Sequence, residues 1–252
     1  MTKEAPAEIS MWSRHFFPNA VTMLALCSGM TALFYASAGR INAAIACVII
    51  AAILDALDGR VARATGSSSK FGAELDSLAD VICFGAVPAF VIYQWGISDY
   101  GNLGWFVALT LPVAAAYRLA RFNVMAEKPK PIWMASYFTG IPAPAGAFLA
   151  LMPVFVGNTE AFLPSTAHVL GLITLPLVAL LMVSTWPTFS GKSLGRRALG
   201  VMYVPTLLLL LAAALGLFLF PWATLAIAAL LYVATLPLSK WRHRVLSARS
   251  GS

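Results

Sequence analysis

The chain has 252 residues, of which 60% are hydrophobic and 11% charged, with a net charge of +7 and a mean hydropathy of +0.82. A soluble domain is about 45–50% apolar and about 25% charged, so an ordinary soluble enzyme is excluded, as is a disordered chain, which needs low hydrophobicity and high charge. The class that remains is an all-α, polytopic integral membrane helical bundle; a β-barrel would alternate over segments of about ten residues, and the apolar runs here are continuous.

Residues 1–17 are polar and mixed in charge, with Glu4 and Glu8 beside Lys3 and Arg14. They lack the basic start and short apolar stretch of a cleavable signal. Residues 9–17 mix Trp12, Phe16 and Phe17 with Arg14 and His15. They suit either a helix lying in the membrane interface or the aromatic belt of the first span.

A helix needs about 20 apolar residues to cross the hydrocarbon core. Eight runs qualify: 18–38, 41–65, 72–96, 104–126, 139–157, 165–186, 200–220 and 222–239. The last two form a hairpin turned at Phe220-Pro221-Trp222, because proline cannot continue the helical ladder, and the runs allow six to eight spans. Pro112, Pro142, Pro144, Pro153 and Pro176 fall inside runs. The expected organisation is an N-terminal segment (1–17), a membrane domain (18–195), a C-terminal transmembrane hairpin (196–239) and a basic tail (240–252).

Basic residues cluster at Lys3/Arg14, Arg60/Arg63/Lys70, Arg118/Arg121/Lys128/Lys130, Lys192/Arg196/Arg197 and Lys240/Arg242/Arg244/Arg249, sixteen of the seventeen Lys and Arg. Eight spans put all five clusters on one side and leave Arg40, Asp99 and Glu160 on the other. The positive-inside rule then places both termini in the cytoplasm. Cys27, Cys47 and Cys83 all sit in apolar runs, and an odd number there argues against a disulfide framework.

Five of the ten acidic residues lie between 55 and 80: Asp55, Asp58, Glu74, Asp76 and Asp80. A charge near bilayer depth costs at least about 2.5–3.5 kcal/mol on the insertion scale, and a divalent cation would compensate the aspartates. Asp55 and Asp58 are three apart, and Asp76 and Asp80 four apart, so each pair shares a helix face. The two helices are joined by the short polar loop Gly66-Ser67-Ser68-Ser69, so the pairs can converge. Carboxylates without nearby Cys or His suit Mg²⁺, Mn²⁺ or Ca²⁺ and not Zn²⁺. Gly59 and Ala62 leave space on the helix face, and Arg63 and Lys70 can meet phosphate oxygens. Dications beside cations suggest a phosphate or pyrophosphate substrate. Partnered structural charges or an ion pathway, as in a divalent-cation carrier, are the other readings of the same residues.

Residues 55–80, DALDGRVARATGSSSKFGAELDSLAD, fit D-x2-D-G-x2-A-R-x8-G-x3-D-x3-D at every fixed position. This resembles the signature of the CDP-alcohol phosphotransferases, a family of integral membrane enzymes. The segments 18–29 (PNAVTMLALCSG), 70–89, 117–123 (YRLARFN), 138–147 (FTGIPAPAGA) and 181–192 (LMVSTWPTFSGK) are similar to the serine-accepting bacterial and archaeal members. The resemblance covers roughly residues 15–195, a six-helix catalytic core, and leaves the hairpin as an accessory pair. It implies transfer of the phosphatidyl group of CDP-diacylglycerol to L-serine with release of CMP. It also implies that Asp55, Asp58, Asp76 and Asp80 hold two divalent cations, Mg²⁺ or Mn²⁺, with Asp80 also the general base. Gly59, Ala62 and Arg63 would contact the CDP moiety, and Gly72 would give room. Family members are often homodimers. Sister activities accept glycerol 3-phosphate, inositol or choline instead.

Serine carries a carboxylate that needs a cation. Arg118 and Arg121, three apart at the end of the fourth run, are candidates for it or for the lipid-side phosphate. Lys192 is a further candidate for phosphate, and Tyr117 and Asn123 are weaker ones. His15, His168 and His243 lie away from the aspartates in sequence and are expected at membrane interfaces. Lys240 and Arg242 suit a tail touching anionic lipid.

Overall fold

The computed structural model describes residues 7–66, 69–126, 137–159, 163–189 and 203–250. The chain divides into two compact units, Met1–Leu119 and Ala120–Ser252.

In the first unit, α1 (Ala7–Ser37) and α2 (Ile41–Thr65) form a hairpin turned at Gly39, whose φ of 72° suits glycine. Residues 9–17 are helical and continuous with the first span. The two helices pack along each other. Small buried residues on both, Ala25, Ala32 and Ala36 against Ala44 and Ala51, allow the close approach that membrane helices use in place of a hydrophobic driving force. Ser28 Oγ donates to the Cys47 carbonyl across the pair at 2.8 Å.

α2 stops at Gly66, which takes a left-handed conformation (φ 63°) and returns its N–H to the Ala62 carbonyl, a common helix ending. α3 (Lys70–Asp80) starts at Ser69, whose Oγ accepts from the Gly72 N–H at 3.0 Å. The third run is helical from Lys70 to Trp95 but not uniformly so. A π-helical turn, Val81–Ala86, separates α3 from α4 (Val87–Trp95), and the Val87 N–H reaches back five residues to the Ile82 carbonyl. Pro88 has no N–H to continue an α ladder. Gly85 sits so close to the next helix that a Cβ there would lie 2.9 Å from Ala115 Cβ and 3.1 Å from Pro112 Cα. A short 3₁₀ turn, Ile97–Tyr100, leads into α5 (Gly101–Ala126), which contains Pro112.

The second unit contains α6 (Ala143–Ala150), α7 (Met152–Gly157), α8 (Pro164–Val183), α9 (Tyr203–Leu219) and α10 (Pro221–Ser250). Its departure from helix is an antiparallel ladder of β1 (Tyr137–Thr139) and β2 (Pro187–Phe189), with Phe138 opposite Thr188. Thr188 Oγ1 donates to the Gly140 carbonyl at 2.8 Å. α9 and α10 pack on each other. Phe220 lies between them, Pro221 opens α10, and a Cβ on Gly216 would lie 2.8 Å from Thr224 Oγ1. α10 packs on α7 and β2. The Trp186 indole N–H donates to the Leu236 carbonyl at 3.1 Å, and Lys240 Nζ sits 3.9 Å from the centre of the Trp186 ring.

Among the described residues, six helices are long and apolar enough to cross a membrane: Asn19–Ser37, Ile41–Ala64, Lys70–Trp95, Ile97–Met125, Ser165–Val183 and Pro221–Arg242. Their exposed faces carry large apolar side chains such as Phe34, Phe106 and Leu180, as lipid contact requires. These helices match six of the eight runs, and the other two, 139–157 and 200–220, carry shorter helices among the described residues. Run 139–157 opens in the ladder and breaks at Leu151 into helices of 8 and 6 residues. Pro142 caps α6, while Pro144 and Pro153 lie in the first turns of α6 and α7. These prolines therefore start helices rather than interrupt one, as their fixed φ and missing N–H favour. In the run 200–220, helix is described over 17 residues, about 25 Å at 1.5 Å per residue. The three cysteines are free thiols.

Candidate active site

The four sequence-predicted aspartates lie on two helices, Asp55 and Asp58 on α2 and Asp76 and Asp80 on α3. One carboxylate oxygen from each of Asp55, Asp76 and Asp80 falls within 4.8 Å of the others, a grouping that could hold a metal ion. The pairing read from the sequence, two residues per helix face, thus resolves into one residue from α2 and two from α3. Like charges this close repel, and a cation among them would relieve that repulsion. The donor set is entirely carboxylate oxygen, which fits a hard divalent cation.

Asp58 stands apart from this triad. It is 5% exposed, and its Oδ2 accepts a hydrogen bond of 2.6 Å from Thr22 Oγ1 of α1. Asp58 and Asp76 both line an open cleft of about 180 Å³ with Asn19, Thr22, Gly59, Ala62, Arg63, Ser69, Gly72 and Ala73. Gly59, Ala62, Arg63 and Gly72 therefore share one concave surface. A Cβ on Gly72 would come within 3.0 Å of Asn19 Oδ1 and 3.2 Å of Ser69 Oγ, so glycine keeps the cleft open there. Lys70, the first residue of α3, is exposed and not among the lining residues.

Arg118 of α5 is 7% exposed and lies within electrostatic reach of Asp80. Asp58 and Arg118 are the two charged side chains buried among the described residues. Arg121, one turn on, does something different within the second unit. Its guanidinium donates to the carbonyls of Val183 and Ser184 at 2.5 and 3.0 Å, with longer contacts to Thr139 and Met182. These carbonyls belong to the end of α8 and to β1, where the helix has run out of its own donors. Tyr117 is exposed and Asn123 half-buried. His168 is half-buried on α8, whereas Lys192 and the side chains of His15 and His243 lie outside the described residues.

The cleft also contains residues that the spacing argument did not single out: Asn19, Thr22, Ser69 and Ala73. A signal was present in Asn19 and Thr22, two polar residues three apart at the head of an apolar run, which would share a helix face. Nothing local tied them to the aspartates some 36 residues away.

Apolar helices around a half-buried acidic cluster, beside a cleft that Arg63 lines, define a helical membrane protein with a site suited to a metal and a phosphate. Residues 15–186 match the CDP-alcohol phosphatidyltransferase family model, and the chain belongs to that enzyme family. Among its relatives is the CDP-diacylglycerol–serine O-phosphatidyltransferase of Helicobacter pylori, 40% identical over 177 residues, which are 69% of this chain and 73% of that protein. Proteins of the same description from Mycobacterium tuberculosis and Methanocaldococcus jannaschii are also similar. The first is 45% identical over 131 residues, 52% of this chain and 46% of that one. The second is 36% identical over 174 residues, 68% and 74%.

Proposed function

We propose that the chain transfers the phosphatidyl group of CDP-diacylglycerol to the hydroxyl of L-serine, forming phosphatidylserine and CMP. The observation that carries this is the convergence of Asp55, Asp76 and Asp80 beside a cleft lined by Asp58, Gly59, Ala62, Arg63 and Gly72, in a family whose similar members bear that activity in their names.

Asp55, Asp58, Asp76 and Asp80 would hold two divalent cations, Mg²⁺ or Mn²⁺. Such cations, when bound, neutralise pyrophosphate and the charge that gathers on departing CMP. Arg63 meets phosphate oxygens in the cleft, with Lys70 at its edge, while Gly59, Ala62 and Gly72 leave room for the CDP moiety. The serine oxygen attacks the phosphorus of the phosphatidyl group in line, and the bond to CMP breaks. Asp80 takes the hydroxyl proton late, as the hydroxyl becomes acidic in the transition state. Arg118, buried near Asp80, receives the serine carboxylate. Arg121 is committed to backbone carbonyls and serves the fold, and Lys192 remains a candidate for phosphate contact.

The basic clusters, which an eight-span arrangement gathers on one side, support a cytoplasmic position for both termini and the site at the cell's inner membrane. The active form is a homodimer by analogy with the family.

The test is incorporation of labelled L-serine into lipid by protein purified in detergent, given CDP-diacylglycerol and Mn²⁺ or Mg²⁺. Metal-dependent labelling that disappears in Asp80→Asn is expected. CMP release with glycerol 3-phosphate, inositol or choline, and none with serine, would overturn the acceptor. No CMP release with any acceptor would overturn the enzyme reading and favour a cation carrier.

A further inference from the structure

Asp58 differs from the other three aspartates of the site. Its carboxylate is outside the group formed by Asp55, Asp76 and Asp80, yet it lines the cleft and is 5% exposed. A buried carboxylate that must face a ligand needs something to set its orientation. The side chain that does so belongs to another helix. Thr22 of α1, itself 5% exposed, donates its hydroxyl to Asp58 Oδ2 at 2.6 Å, within the short range of charge-assisted O–H···O⁻ bonds.

We infer that Thr22 is a positioning residue for Asp58, holding Oδ2 so that the carboxylate presents its other oxygen to a divalent cation or to the phosphate that cation carries. This rests on the proposed metal-dependent reaction. The physical reason is that an aspartate has two torsions to settle. A hydroxyl on a neighbouring packed helix settles them before the ligand arrives, as outer-shell partners of metal-binding carboxylates do. Within a helix the branched Cβ of threonine narrows χ1 to two rotamers, and in the one adopted here the hydroxyl faces Asp58. The packing of α1 on α2 would thereby tune the site, although α1 carries none of the aspartates.

The experiment is Mn²⁺ titration of the purified full chain, followed by the electron paramagnetic resonance of free Mn²⁺. Wild type is compared with Thr22→Val, Thr22→Ser, Asp58→Asn and the Thr22→Val/Asp58→Asn double variant. Thermal unfolding without metal is recorded alongside. We expect Thr22→Val to weaken Mn²⁺ binding about tenfold or more with metal-free unfolding unchanged, and Thr22→Ser to restore binding. We expect Thr22→Val to add nothing once Asp58 is Asn, because the two act as one unit. Wild-type affinity in Thr22→Val would overturn the inference, as would an equal further loss in the Asp58→Asn background. If wild type binds no Mn²⁺, or Asp55→Asn and Asp76→Asn bind it as wild type does, the metal reading itself fails and the inference falls with it.

Discussion

Arg118 and Arg121 are one helical turn apart and were equivalent by spacing, yet their surroundings separate them. Arg118 is buried within reach of Asp80, and Arg121 closes the carbonyl end of α8. Substitution should therefore affect different properties. Arg118→Lys keeps the charge but loses the planar fork, and it should raise the KM for serine about tenfold, since hydrogen bonds to charged groups contribute about 1.5–3 kcal/mol. Steady-state kinetics with serine varied checks this, and an unchanged KM would remove Arg118 from the serine site. Arg121→Ala leaves carbonyls without donors and should destabilise the protein by about 2 kcal/mol. Its serine KM should stay near wild type. A lower midpoint of thermal unfolding in detergent is the readout. Asp55→Asn and Asp76→Asn each remove one carboxylate of the triad, and kcat should fall about a hundredfold or more, given that metal assistance supplies several kcal/mol. A modest effect that added Mn²⁺ fully reverses would instead make those residues affinity determinants.

The helices are held by close approaches at particular glycines. Gly85, within the π turn that follows Asp80, touches Pro112 and Ala115 of α5. Gly85→Ala should cost about 1–3 kcal/mol by overpacking, visible as a lower unfolding midpoint. Little change would mean that the two helices separate easily there. Gly72→Ala would crowd Asn19 and the Ser69 cap, so it should raise the KM for CDP-diacylglycerol more than it lowers thermal stability. The sequence marked the helices well, because apolar runs of spanning length are a local property. It misplaced the roles of Pro142, Pro144 and Pro153, which depend on whether a given turn begins a helix or continues one. The π turn had no local mark either, since it follows from how Gly85 fits against α5.

At the scale of the molecule, the hairpin that the family resemblance left as an accessory is built into its own unit. Leu236 is buried and bonded through its carbonyl to Trp186, and Ala229 and Ser239 are buried with it. Removing residues 203–252 should therefore expose the Trp186 region. The shortened protein should aggregate during size-exclusion chromatography in detergent, whereas a monodisperse peak would restore the accessory reading. The proposed orientation is tested by Asp99→Cys and Arg242→Cys, each in a background with Cys27, Cys47 and Cys83 replaced. Impermeant thiol reagents should reach Asp99→Cys from outside intact cells and Arg242→Cys only after lysis.

Composition, run length and the spacing of residues 55–80 were enough to determine a helical membrane protein, its family and the acidic residues of the proposed site. Each of these is written in the order of residues along one or two helices. Tertiary structure alone decided that Asp55 joins Asp76 and Asp80 while Asp58 turns to Thr22, and that Arg118 approaches Asp80 while Arg121 caps α8. Those outcomes depend on how each helix is rotated about its axis and which neighbour it meets. Packing between residues far apart in sequence sets that rotation, and periodicity constrains it only to within a face.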